Sequence, residues 1–303
     1  MIELLLTVIL SSIPIMLAAN GELIVERSGV LNLGVEGMML MGAVVASITA
    51  IITGNPNLGI LTGALAGLIT SSVFAFFALG LATNQVATGL ALTIFGTGLS
   101  GLLGASFVGK AITRLEVLPI PILSKIPVLG VLLFSHNIIV YFAFLMVFLT
   151  AWFLHYNRGG MVLRAVGNNH DSAHALGYSV LGVRWLAVLF GGFMAGLAGA
   201  FLPLVLTPHW AEAMTAGRGW IALALVVFAS WRPLRVPIGA LLFSGITIMQ
   251  LVGQARGWTM PAQFLSMLPY LATIIVLVII SRNKEFSMIN SPACLGKIFI
   301  VGK

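Results

Sequence analysis

Residues 155–184 read HYNRGGMVLRAVGNNHDSAHALGYSVLGVR, and the interpretation of the whole chain begins with this polar stretch. It lies between two apolar runs, at residues 140–153 and 185–206. Three arginines and a single acid, Asp171, make it basic. Because Lys and Arg accumulate in the cytoplasmic loops of membrane proteins, the stretch is predicted to be a cytoplasmic loop between two transmembrane helices.

The composition of the chain is that of a protein that crosses a lipid bilayer several times. Its 303 residues are 59% hydrophobic and 8% charged, with a mean hydropathy of +1.10, whereas soluble domains carry about 25% charged residues. The net charge is +7, but the bases stand singly between apolar segments, which argues against nucleic-acid binding. One cysteine, Cys294, excludes an internal disulfide and a cysteine metal cluster.

Nine apolar segments are candidate membrane spans, since a bilayer core about 30 Å thick needs about 20 apolar residues in a helix. Eight windows of that kind lie at residues 2–20, 30–53, 58–82, 86–109, 136–154, 185–206, 236–253 and 264–281. The ninth, Trp220 to Trp231, has 12 residues between two arginines. It is either a tightly bounded span or a half-helix buried among the others. The prediction is one all-α transmembrane domain, residues 1–303, with about nine helices and a range of 8–10.

The basic residues favour counting the short segment as a crossing. With residues 155–184 inside, ten Lys and Arg fall on the cytoplasmic side and five outside, namely Lys110, Arg114, Lys125, Arg218 and Arg256. If the short segment did not cross, the ratio would become five to ten, against the positive-inside rule. The predicted N-terminus is therefore external and the C-terminus cytoplasmic.

Residues 110–135 then form an external loop. Three prolines among aliphatic residues favour extended or broken structure there over a span. The loop is interpreted either as a landing site for a partner or as a connection packed on the bundle.

Glycines recur at spacings that let helices approach closely. The pairs Gly63 with Gly67 and Gly192 with Gly196, and the series Gly98, Gly101 and Gly104, predict close helix packing.

Two patterns that suggest other chemistry are rejected. Residues 104–111 match most of the phosphate-binding pattern GxxxxGK[ST], but Ala111 stands where a hydroxyl would hold Mg²⁺. The chain therefore needs no cofactor of its own, and any ATP is bound by another subunit. His170 and His174 share a helix face but show no third metal ligand. They are predicted to be exposed loop histidines.

Polar residues at the start of the second span are candidates for the wall of a permeation path. Asn32 and Glu36 are one turn apart and would share a face of a helix beginning near Val30, with Glu36 about 9 Å inside it. An ionised acid in lipid costs about 3 kcal/mol. Glu36 therefore either lines a polar path, or is paired with Arg27 or capped by backbone. A similar polar face at the inner end of the fourth span comprises Asn84, Gln85 and Thr88.

Four blocks of sequence resemble one protein family. They are GELIVERSGVLNLGVEGMMLMGA at 21–43, GMVLRAVGNNHDSAHALG at 160–177, GRGWIALALVVFASWRPLRVPIGALLF at 217–243 and LPYLATIIVL at 268–277. They resemble, in the same order, the N-terminal signature, the cytoplasmic coupling loop, a late block and the final span of bacterial ABC importer permeases. The branch they are most similar to is the nucleoside branch of the branched-chain amino acid and simple sugar superfamily.

The resemblance implies a transmembrane pore subunit, not an enzyme, in the bacterial plasma (inner) membrane. The implied solute is a nucleoside or a related small polar molecule, such as riboflavin or a simple sugar. The implied partners are a second permease subunit, an ATPase with two nucleotide-binding cassettes, and an external binding lipoprotein or periplasmic protein.

The resemblance also implies a set of residues in or beside the short helix that docks on the ATPase: Arg164, Gly167, Asn168, Asp171, Ala173, Leu176 and Gly177. Two positions depart from the family pattern, because His170 replaces a common proline and His174 a basic residue. The residues alone agree on one point, since a short helix with Ala173, Leu176 and a glycine stop suits docking into a groove.

Two other functions remain open from the residues alone. A gradient-driven secondary transporter or channel would use Glu36 as a proton or ion carrier. An intramembrane enzyme would need a catalytic pair facing one cavity, and the sequence places no histidine near Glu36.

Overall fold

The computed structural model describes residues 2–121, 124, 126, 129–257, 264, 267, 268, 271, 272, 274, 275, 278 and 290–300. The α-helices in this part of the chain are α1 (Ile2–Arg27), α2 (Val35–Thr53), α3 (Pro56–Ala75), α4 (Gln85–Gly104), α5 (Leu129–Leu133), α6 (Ile138–Tyr156), α7 (Arg158–Asn168), α8 (His170–Ala175), α9 (Val180–Phe201), α10 (Arg218–Phe228) and α11 (Val236–Ala255). Two π-helical turns, Phe76–Gly80 and Leu202–Leu206, extend α3 and α9. Two 3₁₀ turns, Ala105–Phe107 and Pro233–Arg235, follow α4 and precede α11. A small antiparallel ladder pairs β1 (Leu118–Pro119) with β2 (Ser135–His136).

Seven helices within the described residues are long and apolar enough to cross a bilayer: α1, α2, α3, α4, α6, α9 and α11, with their extensions. This confirms the prediction of an all-α polytopic membrane protein. The count of about nine helices is not supported. The short segment forms α10, which has only 11 residues, and the predicted span at 264–281 lies largely outside the described residues.

Close glycine contacts bring α2, α3 and α9 together. A Cβ placed on Gly67 would collide with the backbone of Gly192 and Gly196, and one on Gly42 would also collide with Gly196. The predicted close packing is therefore found for the pairs in α3 and α9. The third series is mixed: a Cβ on Gly98 of α4 would meet nothing within 4 Å, whereas one on Gly104 would collide with the indole of Trp210.

One end of the bundle, called the basal end here, is defined by contacts of Arg27. Its guanidinium donates to the carbonyl oxygens of Trp231 (2.9 Å from Nη2) and Asn290 (2.9 Å from Nη1), and Gly167 packs on its backbone. The ends of α1 and α10, the loop between α6 and α9, and the C-terminal segment therefore meet at this end.

Residues 207–231 traverse the bundle, but only half of this traverse is helical. α9 starts at the basal end and its extension stops at Leu206, so the chain is then at the opposite end. It returns to the basal end at Trp231. Residues 207–217 are not helical and α10 supplies the second half. The crossing favoured by the count of basic residues is thus made by a half-helix and an irregular segment.

Candidate functional site

Two stretches of irregular backbone lie inside the helical bundle: the turn between α1 and α2, and residues 207–217. Residues 207–217 are called the re-entrant segment here because they lead the chain back into the bundle after α9; α10 then continues to the basal end. Backbone N–H and C=O groups that lack partners in a hydrocarbon environment cost several kcal/mol each. Such backbone persists at this depth only where protein groups or water satisfy it. Several buried polar side chains contact these two stretches, among them Asn32, Glu36 and Gln85.

Three side chains accept hydrogen bonds from backbone amides of the turn before α2. The amide of Asn32 donates to Glu22 Oε1 (3.3 Å), and the amide of Leu31 donates to Gln85 Oε1 (2.9 Å). The amide of Gly34 donates to the side chain of Asn32 (2.9 Å). Asn32 and Gln85 are both buried, and these contacts use their side chains to stabilise the turn.

The prediction that Asn32 and Glu36 share a helix face is wrong. α2 begins at Val35, five residues after the predicted start at Val30, so Asn32 lies in the turn and Glu36 in the first helical turn. The physical reason is local. Gly29 adopts a positive φ of 89°, and the Asn32 side chain bonds to backbone two residues ahead, which competes with helix formation.

The carboxylate of Glu36 holds the re-entrant segment to α2. Oε1 accepts from the Thr215 hydroxyl (2.5 Å) and the Gly217 amide (2.9 Å), and Oε2 accepts from the Gly219 amide (2.6 Å). These amides lie at the N-terminus of α10, where the helix dipole favours a negative charge. Glu36 is 7% exposed. Of the alternatives stated above, the structure gives Glu36 the contacts of backbone capping, and a role in the path stays a prediction.

The Glu36 contact lies midway across the bundle. Its neighbour Gly37 packs against Gly96, where an added Cβ would come within 2.8 Å of the Gly37 Cα. Gly96 is equally far from Gln85 and Phe107, the two ends of the span that contains α4. α10 therefore begins in the middle of the bundle and runs to the basal end.

The polar residues at the start of α4 do not form one face. Asn84 is exposed and caps α4 by accepting from the Ala87 amide (3.0 Å). The Thr88 hydroxyl donates to the Asn84 carbonyl (2.8 Å), whereas the Gln85 side chain points to the turn before α2. These contacts do not test whether Asn84, Gln85 and Thr88 line the permeation path, so that role stays a prediction.

The loop between α6 and α9 contains two short helices with asparagine caps. Asn157 accepts from the Gly159 amide at the start of α7 (2.8 Å), and Asn169 accepts from the Ser172 amide at the start of α8 (3.0 Å). Asn169 is extended and separates the two helices. Gly177, with φ of 87°, ends the second. These are favoured N-cap and C-terminal stop residues.

The predicted coupling residues divide between two faces of this loop. Gly167 and Ala173 are buried against the bundle, and Arg164 is half-buried. The other four are exposed, namely Asn168, Asp171, Leu176 and Gly177. Leu176 is 77% exposed and belongs to a continuous exposed run, residues 174–179. The exposed run is called the coupling face here.

The C-terminal segment, residues 290–300, packs on the inner side of this loop. The Cys294 amide donates to the Gly167 carbonyl (2.9 Å), and its thiol to the Asn168 carbonyl (3.4 Å). The Phe299 ring lies 5.2 Å from the ring of His170 and 5.4 Å from that of His174, centroid to centroid. The tail therefore forms part of the basal structure.

His170 is buried and His174 is exposed, so the prediction of two exposed histidines is wrong for His170. His170 Nδ1 lies 3.3 Å from Nη2 of Arg184. Burial and the charge of Arg184 lower the pKa of His170, against the opposing effect of Asp171. No group of three metal-binding side chains occurs among the described residues.

Sequence reasoning missed three buried charged residues at the basal end. Glu26 Oε2 accepts from the Trp231 indole (2.6 Å). Arg184, which is fully buried, donates to the carbonyls of Ser28 (3.2 Å) and Lys297 (3.1 Å). Glu22 supports the turn described above. One signal was available, since Glu22 and Glu26 are one helical turn apart directly after the first apolar window.

Known proteins match the chain over nearly its whole length. The family described as "Branched-chain amino acid transport system / permease component" matches residues 4–279. The putative glucose ABC transporter permease protein TsgC13 of Haloferax volcanii is 39% identical and aligns with 93% of this chain and 92% of the relative. The nucleoside ABC transporter permease protein NupC of Lactococcus lactis is 32% identical, with coverage of 88% and 89%. The guanosine ABC transporter permease protein NupQ of Bacillus subtilis is 29% identical, with coverage of 96% and 94%.

No solved structure matches the chain significantly. The seven apolar helices and the full-length family match agree on a membrane-spanning subunit without catalytic chemistry of its own. The chain belongs to the family of permease components of branched-chain amino acid-type ABC transport systems.

Proposed function

We propose that this chain forms part of the solute pathway of an ATP-driven importer for a nucleoside or a simple sugar. The observation that carries the proposal is the full-length similarity to permeases named for glucose, nucleoside and guanosine transport. These solutes share a hydroxyl-rich sugar unit, which is the chemical feature that the pathway would have to accommodate. Riboflavin, which carries a hydroxylated chain, remains within the same class.

The proposed complex has an ABC ATPase as its engine, since family membership implies a separate ATPase subunit. The finer composition is proposed from the sequence resemblance: an ATPase with tandem nucleotide-binding cassettes, a second permease subunit, and an external binding lipoprotein or periplasmic protein. In the proposed orientation the basal end faces the cytoplasm of a bacterial cell, the N-terminus is external, and residues 110–135 form an external loop.

The coupling loop, residues 155–184, is the proposed contact with the ATPase. Its coupling face presents the large side chains of Leu176 and Tyr178 to solvent, as docking into a groove of a partner requires. Its inner side offers a route for motion, because Gly167 packs on the backbone of Arg27 at the end of α1. From there the turn before α2 leads to Glu36 and, through its carboxylate, to the start of α10.

Coupling is tested in the reconstituted complex by measuring ATPase activity stimulated by the binding protein with its solute. Asp171→Ala with Leu176→Ala, both on exposed parts of the loop, should reduce the stimulated activity about tenfold while the complex still assembles. The matched control is Ile94→Ala, an exposed apolar residue of α4. Stimulation as strong as in the control would reject the docking assignment.

Orientation is tested separately with a cysteine at Ser172, which is exposed. In intact cells a membrane-impermeant thiol reagent should leave this cysteine unmodified, and it should react after the cells are opened. Modification from outside intact cells would reverse the orientation and remove the proposed ATPase contact.

A further inference from the structure

Residues 212–218 carry two ionisable side chains, Glu212 and Arg218, that the fold leaves at least partly exposed. Glu212 is exposed, and its carboxylate has no hydrogen-bond or ion-pair partner among the described residues. It lies against α4, where a Cβ added to Gly101 would be 3.3 Å from Glu212 Oε1. Gly101 is six residues inward from Phe107, the end of this span, or about 9 Å along a helix. Glu212 therefore lies inward from the end of the bundle, measured along α4, although its side chain is exposed.

Arg218 lies deeper, next to Gly219, whose amide binds Glu36 midway across the bundle. Its side chain is half-exposed. Nη1 donates to the carbonyls of Met214 (3.2 Å) and Thr215 (3.1 Å), which holds the guanidinium against its own loop. Within the described part of the chain, the remaining guanidinium nitrogens have no acceptor.

The backbone that presents these two residues is fixed in an uncommon conformation. Ala213 and Ala216 both have positive φ, 53° and 48°, a region that non-glycine residues rarely adopt. Three hydrogen bonds from residues 215–219 to the Glu36 carboxylate hold the backbone in this conformation. Strained backbone of this kind persists where the surrounding contacts demand it, and it clusters at ligand sites.

A lipid environment does not suit this surface. A charged side chain in the hydrocarbon region is energetically costly, so such residues face a water-filled cavity or a polar partner. The side of α4 away from the re-entrant segment behaves oppositely, since Phe95 and Leu102, which are seven residues apart and share that side, are apolar and 57% and 75% exposed. α4 thus has one apolar open side, and a polar side with Thr97 and Gly101 next to Glu212.

We propose that residues 212–218, with Thr97 of α4, line the water-filled path, and that Glu212 and Arg218 bind the hydroxyl groups of the solute. The proposal rests on the proposed function above and names the surface that recognises the solute. A carboxylate accepts hydrogen bonds from two hydroxyls, and a guanidinium donates to hydroxyl oxygens. Each can therefore bind a hydroxyl group of a ribose or hexose at its own level of the path. Glu36 lies behind this surface and supports it.

The first test measures water access at single cysteines introduced in a Cys294→Ala background of the full complex. Ala213→Cys, Ala216→Cys and Thr97→Cys should react with a charged, membrane-impermeant methanethiosulfonate in vesicles of one orientation or both. Phe95→Cys and Leu102→Cys are the matched controls on the apolar side of α4 and should stay unreactive. Equal reaction rates at the two sets of positions would overturn the proposal.

The second test measures import of uridine and of glucose, and competition by 2′,3′-dideoxyuridine. Arg218→Gln should raise KM about tenfold, the effect of one charge-assisted hydrogen bond, and Arg218→Lys should restore part of it. Glu212→Gln, an exposed change, should act in the same direction and checks the proposal if Arg218→Gln does not assemble. The control is Lys110→Gln, an exposed cation beyond the end of α4.

The two tests separate this inference from the proposed function. If the wild-type complex imports neither uridine nor glucose, the proposed solute class is wrong, and the labelling pattern still decides whether the re-entrant segment lines a path. If import proceeds and Glu212→Gln leaves both KM and the discrimination against the dideoxy analogue unchanged, recognition by this surface is overturned.

Discussion

At the scale of single residues, Glu36 joins two elements that are distant in the chain. Its carboxylate accepts from one hydroxyl and two amides of residues 215–219. The acid therefore replaces the water that irregular backbone would otherwise bind. Glu22 does the same for the turn before α2. Both acids accept hydrogen bonds from irregular backbone that is enclosed by the bundle.

Glu36→Gln should destabilise the permease. The amide side chain keeps one acceptor oxygen but turns an N–H group toward backbone donors, so about 2 kcal/mol of charge-assisted hydrogen bonding is lost. Thermal unfolding of the purified complex should shift downward by about 5 °C. Glu3→Gln is the control, because Glu3 is exposed in the first turn of α1. An equal Tm for the two variants would contradict the support assigned to Glu36.

His170 should make the basal end sensitive to acid. Burial and the nearby charge of Arg184 lower the pKa of His170 below its ordinary value of 6.5, so between the two values the unfolded chain binds more protons than the folded one. The stability contributed by the neutral ring is therefore complete above pH 6.5 and is lost as the pH falls through the lowered pKa.

The measurement is Tm of the complex between about pH 5 and pH 8. His170→Gln should flatten the acid side of the profile relative to wild type. His155→Gln, a change at an exposed residue in the last turn of α6, should leave the profile as it is. A wild-type profile in the His170→Gln variant would show that another group causes the acid sensitivity.

At the scale of elements, the contact between α7 and α1 depends on a glycine. A Cβ on Gly167 would collide with the carbonyl oxygen of Arg27 and approach the Gly29 amide. Gly167→Ala should therefore push α7 away from the end of α1 and reduce solute-stimulated ATPase activity, although alanine by itself favours the helix more than glycine does.

The comparison for this prediction is Gly98→Ala in α4, where the added methyl meets nothing within 4 Å. Both variants replace a helical glycine, so the difference in stimulated activity isolates the contact. If the two variants lose the same fraction of activity, the backbone approach at Gly167 has no part in coupling.

The elements themselves were predictable where hydropathy alone determines them. Seven of the predicted windows correspond to apolar helices of full length. The ends of the helices were less predictable. α1 continues to Arg27 because both acids near its end have hydrogen-bond donors: the distant Trp231 indole donates to Glu26, and the Asn32 amide, across a turn, donates to Glu22. A hydropathy window treats an acidic residue as the end of a span, because the window contains no information about the hydrogen-bond partners that the folded bundle gives to that residue.

The broken crossing shows the same limit. The length of the short segment correctly indicated that α10 could be a half-helix, but the sequence does not say that residues 207–217 form its irregular other half. Arg218 was assigned to an external loop because isolated charges usually mark loops. The position of Arg218 midway across the bundle depends on the hydrogen bond between the Gly219 amide and the Glu36 carboxylate. Local sequence patterns cannot predict this contact, because the two residues are far apart in the chain.

At the scale of the whole molecule, the C-terminal segment ties the coupling loop to the bundle. Its backbone bonds to Gly29 and Gly167, and Phe299 fills a cluster with Val166, Ala173 and Val180. The segment thus links both ends of the sequence to the surface proposed to meet the ATPase. The polar loop was identifiable from sequence, but this support was not, because the tail is short and has no periodic pattern.

Phe299→Ala should loosen α8. Phe299 is 7% exposed and its neighbour Ile300 is 47% exposed, so Ile300→Ala is a matched control that removes a large apolar side chain from the surface. Amide hydrogen exchange in residues 170–175 of the assembled complex should accelerate about tenfold or more in Phe299→Ala, since a buried Phe→Ala change costs about 3 kcal/mol. Equal exchange in both variants would remove the supporting role of the tail.

The bond between Glu36 and Thr215 also sets a condition on how the protein is made. The two residues are 179 positions apart, and at roughly 5 to 20 residues per second a ribosome needs roughly 10 to 40 s to add that length. Throughout that interval Glu36 of α2 has been synthesised, but its hydrogen-bond donors at residues 215, 217 and 219 have not. The insertion machinery must therefore keep the start of this helix in contact with water or other polar groups until the re-entrant segment emerges and packs against it.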